Sequence, residues 1–264
     1  MPYHSLQLQE VAHLSEQSNT TDQEMNITDH LGELRTRLLW TFVVFVAFFI
    51  LGFVFVEEIY QYFESNVQYE LTVLGPFDIL WIYIMLASMV AITGTLPVLT
   101  LQIWLFVKPA LTPKEQKVSL SYIPSIFLLF VGGLAFGYFI IEPLIFQFLL
   151  SLGEGMFNTM FTVEKYFKFL IRVTLPFAIF FEIPLVVMFL TSLGIVNPKM
   201  LRRTRKYAYF VLVIIGTMIS PPDFILQIVV AIPLIVLYEV SIILSGIVER
   251  RRQRNLDKDL SSEV

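Results

Sequence analysis

Long apolar runs without charge alternate with shorter polar segments along most of the chain. The clearest, residues 38–56 (LLWTFVVFVAFFILGFVFV), contains no ionisable side chain. A helix needs about 20 such residues to cross a hydrocarbon layer of about 30 Å. Outer-membrane strands would instead give short segments of alternating polarity, so the pattern predicts transmembrane helices. Six runs qualify: 38–56, 79–107, 118–141, 173–190 around Glu182, 207–220, and 224–246 with Glu239 near its end. The second exceeds one straight crossing, and Pro97 and Gln102 predict that its last turns bend or leave the bilayer. The fifth, YAYFVLVIIGTMIS, has 14 residues, about 21 Å of helix. The sixth has 15 residues before Glu239. Two short final helices predict a locally thinned bilayer or a cup-shaped molecule.

Basic residues set the expected orientation, because lysine and arginine collect on the cytoplasmic side. Arg35 and Arg37 precede the first run; Lys108, Lys114 and Lys117 follow the second. Lys199, Arg202, Arg203, Arg205 and Lys206 precede the fifth, and Arg250, Arg251, Arg252, Arg254 and Lys258 follow the sixth. Only Lys165, Lys168 and Arg172 of the 18 basic residues fall on the other side. Both termini are therefore expected in the cytoplasm. The predicted organisation is a polar tail over 1–24, a six-helix all-α membrane domain over 25–246, and a charged tail over 247–264.

Composition agrees: 56% of the 264 residues are hydrophobic and 15% charged, too apolar for a soluble domain. There is no cysteine, which excludes disulfides and thiolate metal sites. The N-terminal stretch, polar, acidic and poor in arginine, reads as neither a secretory signal nor a transit peptide. Enzyme chemistry finds no foothold. All three histidines, His4, His13 and His30, precede the first run, and no HExxH, GxSxG, phosphate-cradling loop or intramembrane aspartate pair occurs. No metal, cofactor or nucleic-acid partner is expected.

Four stretches place carboxylates in or beside the membrane: HLGELRTRLL (30–39), QIWLFVKPALTPKE (102–115), FEIP (181–184) and SPPDFILQIVVAIPLIVLYE (220–239). In the first, Glu33 and Arg37 stand one helical turn apart, and Leu31, Leu34 and Leu38 form the apolar stripe of an interfacial helix. On residues alone they are an exposed ion pair worth about 0.3–0.5 kcal/mol. Thr112-Pro113-Lys114-Glu115 fits a capping box. Trp104 and Phe106 fit interfacial anchors. Glu182 is different, since an ionised carboxylate facing lipid costs about 2.5–3.5 kcal/mol or more. It must face a cavity or a partner, be protonated, or be hydrogen-bonded to a neighbouring helix. Asp223 caps the outer end of the last helix, Gln227 and Glu239 follow on it, and Pro221 and Pro222 form the preceding tight turn.

Together these motifs, in this order on a six-helix frame, resemble the TatC family, the membrane receptor of the twin-arginine protein translocase. The resemblance covers about residues 25–246 and includes Gly133, Phe136, Tyr138 and Pro143 in GLAFGYFIIEP, and Arg205 and Tyr207 in RKY. It implies that Glu33 and Glu115, with Arg35 and Leu31, hold the paired arginines of a signal peptide. Two carboxylates suit two planar guanidinium forks, which lysine cannot reproduce. It implies further that Trp104 and Phe106 receive the apolar part of that peptide. Glu182 and Gln227, capped by Asp223, would meet the transmembrane helix of a single-span TatA or TatB-like subunit. Glu239 would anchor cytoplasmic basic residues, and Gly133, Pro143, Pro221 and Pro222 would be structural. The family implies a bacterial plasma-membrane location, self-association, and transport of folded precursors driven by the proton-motive force. The compact SPPD turn and KYAYF resemble Gram-positive members. Ser220, Leu226 and Glu142 depart from the family pattern, and the resemblance gives Glu142 no role. The competing reading is a proton-coupled secondary transporter with Glu182 as proton carrier. That reading predicts paired internal repeats, and none is evident.

Overall fold

The computed structural model describes residues 32–67, 69–108, 116, 120, 122–153, 160–219 and 223–262. Its helices are α1 (Gly32–Val54), α2 (Val56–Glu64), α3 (Pro76–Val107), α4 (Tyr122–Phe136), α5 (Glu142–Gly153), α6 (Val163–Phe180), α7 (Ile183–Ser192), α8 (Pro198–Ile219) and α9 (Phe224–Ser262). A π-helical turn, Gly137–Ile141, joins α4 to α5 without a break in the rod. Two-residue strands, β1 (Leu71–Thr72) and β2 (Phe161–Thr162), pair in parallel with Leu71 opposite Phe161.

Among the described residues, five helical stretches are long and apolar enough to cross a membrane: Gly32–Val54, Pro76–Val107, Ile123–Gly153, Val163–Ser192 and Phe224–Arg254. Of the remaining expected run, 207–220, residues 207–219 form the second half of α8 and residue 220 lies outside the described residues. The first half of that helix carries Lys199, Arg202, Arg203, Arg205 and Lys206, which leaves its apolar stretch shorter than the other five. α9 continues through Glu239 to Ser262.

The central helix is α6. Its buried positions, Val163, Tyr166, Phe167, Leu170, Val173, Thr174, Phe177 and Ala178, follow the helical repeat and face two clusters. Val163, Phe167 and Leu170 pack with Val56, Ile82, Leu86 and Ala87 of α2 and α3. Val173 and Phe177 pack with Ile141, Ile145, Leu226, Val230 and Leu234 of the π turn, α5 and α9. Phe136 and Phe177 rings approach to 5.6 Å between α4 and α6.

Lipid offers helices no hydrophobic incentive to associate, so close backbone approach supplies the packing energy. Gly133 and Gly137 show it: a Cβ on Gly133 would lie 2.6 Å from Ala178 Cα, and one on Gly137 would lie 2.8 Å from Thr174 Cα. Gly132 has open space where its Cβ would be. Gly133→Ala is therefore expected to cost about 1–3 kcal/mol through overpacking. Gly132→Ala should be neutral or stabilising by up to about 1 kcal/mol. Thermal unfolding of the two variants in detergent compares them.

α6 and α7 are the two halves of the expected fourth span, separated by a turn at Phe181 and Glu182. Pro184, in the first turn of α7, cannot donate to the preceding turn. The chain tightens accordingly: Glu182 N bonds to Ile179 O at 3.1 Å, and the Glu182 carbonyl starts α7 by accepting from Leu185 and Val186. α9 runs alongside α7. The Thr191 and Ser245 hydroxyls share a buried 2.8 Å hydrogen bond, and Arg252 lies against Gly194. Both chains advance in the same direction between these contacts, so the two helices are parallel.

Candidate functional site

At one end of the bundle, Glu33 lies in the first turn of α1 and pairs with Arg37. Arg37 Nη1 also donates to Gln102 Oε1 of α3 at 3.3 Å, so the predicted surface pair is in fact a tie between two helices. Arg35 is exposed beside it. Leu31 and Glu115 lie outside the described residues, as do Pro221 and Pro222. Gln116, the neighbour of Glu115, donates to Lys108 O at 3.2 Å. That carbonyl is six residues beyond Gln102 on α3, about 9 Å along the axis.

Trp104 and Phe106 do not share a wall. Trp104 lines a cavity of about 300 Å³ and holds Lys108 Nζ 5.4 Å from its ring centre; Phe106 is half-buried elsewhere. Residues two apart on a helix point about 200° apart, which separates them.

Glu182 opens into the same cavity as Trp104. The other walls are Leu96, Leu99, Thr100 and Ile103 of α3, Ile123 and Ile126 of α4, and Leu185, Val186 and Phe189 of α7. Both Glu182 carboxylate oxygens are buried and have no hydrogen-bond partner among the described residues. The Thr100 hydroxyl cannot easily help, because it donates to Leu96 O at 2.9 Å. A turn between two half-helices thus aims an unsatisfied carboxylate into an apolar groove. Leaving such a group unpaired costs about 1–3 kcal/mol.

Gln227 does not line this groove. Thr191 and Ser245 are level on parallel helices, which puts Glu182 level with position 236 of α9. Gln227 is nine residues further along, about 14 Å away in depth. Asp223 caps α9: its Oδ1 accepts from Ile225 N at 2.8 Å and Leu226 N at 3.2 Å.

Glu239 bonds Arg205 Nη2 at 2.7 Å and accepts from the Tyr209 hydroxyl. Beside it Tyr238 donates to Leu201 O at 2.9 Å. α8 and α9 are locked here by charge-assisted bonds, whose members Arg205 and Tyr209 share a face one turn apart. Tyr207, the other residue of RKY that carries the family resemblance, is 76% exposed; Tyr209, one turn on from Arg205, makes the contact with Glu239. Glu239→Leu is expected to destabilise by about 1 kcal/mol, since the Arg205–Glu239 pair it breaks is only partly buried. Arg205→Met with Glu239→Leu should recover most of that loss, as thermal unfolding will measure.

Fold and site define a polytopic helical membrane protein with an unsatisfied carboxylate in a lateral apolar groove and no catalytic constellation among the described residues. Residues 29–233 match the family described as Sec-independent protein translocase protein (TatC). The chain is 48% identical over 232 residues to the Sec-independent protein translocase protein TatCd of Bacillus subtilis (strain 168), covering 88% of this chain and 96% of that protein. It is 33% identical to TatC of Aquifex aeolicus (strain VF5), covering 87% and 98%. Two crystal structures of the twin arginine translocase receptor TatC superpose with TM-scores of 0.68 and 0.73, at 32% and 33% identity. They cover 83% and 82% of this chain and 99% of each structure. The chain belongs to the TatC family, as a multi-pass bacterial membrane protein. It is a component of the Tat protein translocase and not an enzyme. The secondary-transporter alternative loses its basis with that membership.

Proposed function

We propose that this chain is the signal-peptide receptor and assembly core of a twin-arginine translocase. In this reading Glu33 and Glu115 bind the paired arginines at the cytoplasmic end of the bundle, flanked by Arg35 and Leu31. The groove between α3, α4 and α7 receives an apolar helix. The observation that carries the proposal is Glu182, a buried carboxylate without a partner among the described residues, in an otherwise apolar groove that also contains Trp104. A site that leaves a carboxylate unsatisfied in the isolated chain is suited to a partner that satisfies it.

The occupant on this reading is the transmembrane segment of a TatA or TatB-like subunit, or the apolar part of a bound signal peptide next to it. Gln227 offers a second polar contact to a partner helix, nearer the other face and separate from the groove. Phe106, outside the groove, anchors α3 at the interface. Self-association and proton-motive-force-driven transport follow from the family on this reading, with 25–246 as the membrane domain and 1–24 and 247–264 as tails.

The distribution of basic residues supports a cytoplasmic placement of both termini in the bacterial plasma membrane. Two of the three exceptions have local roles: Lys168 pairs with Glu164 and sits 5.8 Å over Trp81, and Arg172 donates to Met218 O at the end of α8 at 3.0 Å. Export of a folded reporter tests the function. In a strain lacking its own TatC, and supplied with this chain and its single-span partners, a reporter behind an Arg-Arg signal should reach the far side of the membrane. The same reporter behind Lys-Lys should stay inside. Equal export of both would overturn the proposal.

A further inference from the structure

At the end of the bundle that carries β1 and β2, a second carboxylate is buried away from any role above. Glu142 begins α5 directly after the π turn and is 6% exposed. The wide turn directs both Ile141 and Glu142 inward. Pro143 follows, so the next backbone N–H is missing as a donor to this region. No hydrogen bond or ion pair to the Glu142 carboxylate exists among the described residues, although the Tyr138 and Tyr166 phenols lie within its electrostatic reach.

The carboxylate lines a cavity of about 230 Å³. Asn66 and Gln147, both exposed at the rim, open it to the surroundings. Asn66 Nδ2 donates to Tyr62 O at 2.8 Å, and the same amide hydrogen-bonds the Tyr138 phenol. Tyr69, Phe146 and Tyr166 form a continuous aromatic wall, with ring centres 6.0 Å apart between each neighbouring pair. The lining therefore offers a carboxylate, amide groups and aromatic faces, and among the described residues it holds no cationic side chain.

Anionic oxygen beside aromatic faces is the chemistry that recognises an organic cation. Size narrows the class further. At about 230 Å³ the cavity is well beyond the size of a bare metal ion, which needs room for about one water, and it admits an alkylguanidinium of about eight heavy atoms. We propose that this pocket binds an alkylguanidinium or alkylammonium group with Glu142 as its counter-ion. The group is a free small cation or the arginine or lysine side chain of a protein at that face. The proposal is independent of the signal-peptide reading and of Glu182.

The test uses the full chain in nanodiscs and two probes of the same shape, n-butylguanidinium and uncharged n-butylurea, with binding followed by saturation-transfer NMR. The charged probe should bind at least tenfold more tightly than the neutral one. Glu142→Gln should lose that preference with no drop in unfolding temperature, because it removes a buried charge that lacks a partner. Gln147→Leu, at the rim, should weaken binding severalfold and provides an independent check. A short peptide with a single arginine distinguishes the sources: tighter binding than butylguanidinium indicates a protein side chain, and equal binding indicates a free cation. Equal affinity for the charged and neutral probes, or an unchanged preference in Glu142→Gln, would overturn the proposal.

Discussion

Glu182→Leu should make the purified chain more stable and the translocase inactive. In the isolated protein both carboxylate oxygens of Glu182 are buried without partners among the described residues. Replacing the side chain by an apolar one of similar volume removes an unsatisfied group worth about 1–3 kcal/mol and fills a groove already lined by leucine, isoleucine and phenylalanine. The unfolding temperature in detergent should therefore rise. Docking of the single-span partner should fall by at least about tenfold in affinity if one hydrogen bond to the carboxylate, about 1.5–3 kcal/mol, is lost. Site-specific crosslinks from Val186 or Phe189 to the partner helix would report it. This opposition of stability and activity is the signature of a functional polar group. A variant less stable than the parent, with crosslinks intact, would make Glu182 a structural residue.

The second large effect concerns the arginine-recognition end. Each guanidinium to carboxylate contact is worth about 1.5–3 kcal/mol, or about tenfold to a hundredfold in affinity. Glu33 already engages Arg37, so part of what a peptide gains there is offset, and Glu33→Gln alone should weaken peptide binding by about tenfold. Glu33→Gln combined with Glu115→Gln should weaken it by at least about a hundredfold. Fluorescence anisotropy with a labelled signal peptide measures both. Gln102→Leu provides a useful contrast: it removes the tether that holds Arg37 to α3 without touching a carboxylate, and on this account it changes affinity by less than about tenfold. If the double glutamine variant bound as the parent does, the assignment of these two residues would fail.

Much of this was legible in the linear pattern. Apolar length marks helices whatever their neighbours do, so the spanning stretches were readable, and Glu182 stood out because nothing else in its run is charged. Gly133 and Gly137, four apart, have the spacing that permits close helix approach, and the structure places them against Ala178 and Thr174. Features that depend on register between distant segments were not readable. The pairing of Leu71 with Phe161 joins two dipeptides 90 positions apart, too short for any alternation to show. That Gln227 lies about 14 Å from the level of Glu182 follows from the parallel alignment of α7 with α9, which the Thr191–Ser245 and Gly194–Arg252 contacts reveal. Glu239 read as an anchor for cytoplasmic basic residues, but which ones was not readable, because its partners, Arg205 and Tyr209, belong to another helix. The separation of Trp104 from Phe106 was within reach of helical geometry alone. The π turn before Glu142 had no sequence marker beyond its glycine.

The most direct test of the central claim is the affinity of the purified chain in nanodiscs for a fluorescent signal peptide with adjacent arginines, against the same peptide with both changed to lysine. The account predicts that the arginine peptide binds at least about tenfold more tightly, since an ammonium cannot make the paired, planar contacts of a guanidinium. Equal binding of the two peptides, or none of either, would contradict it.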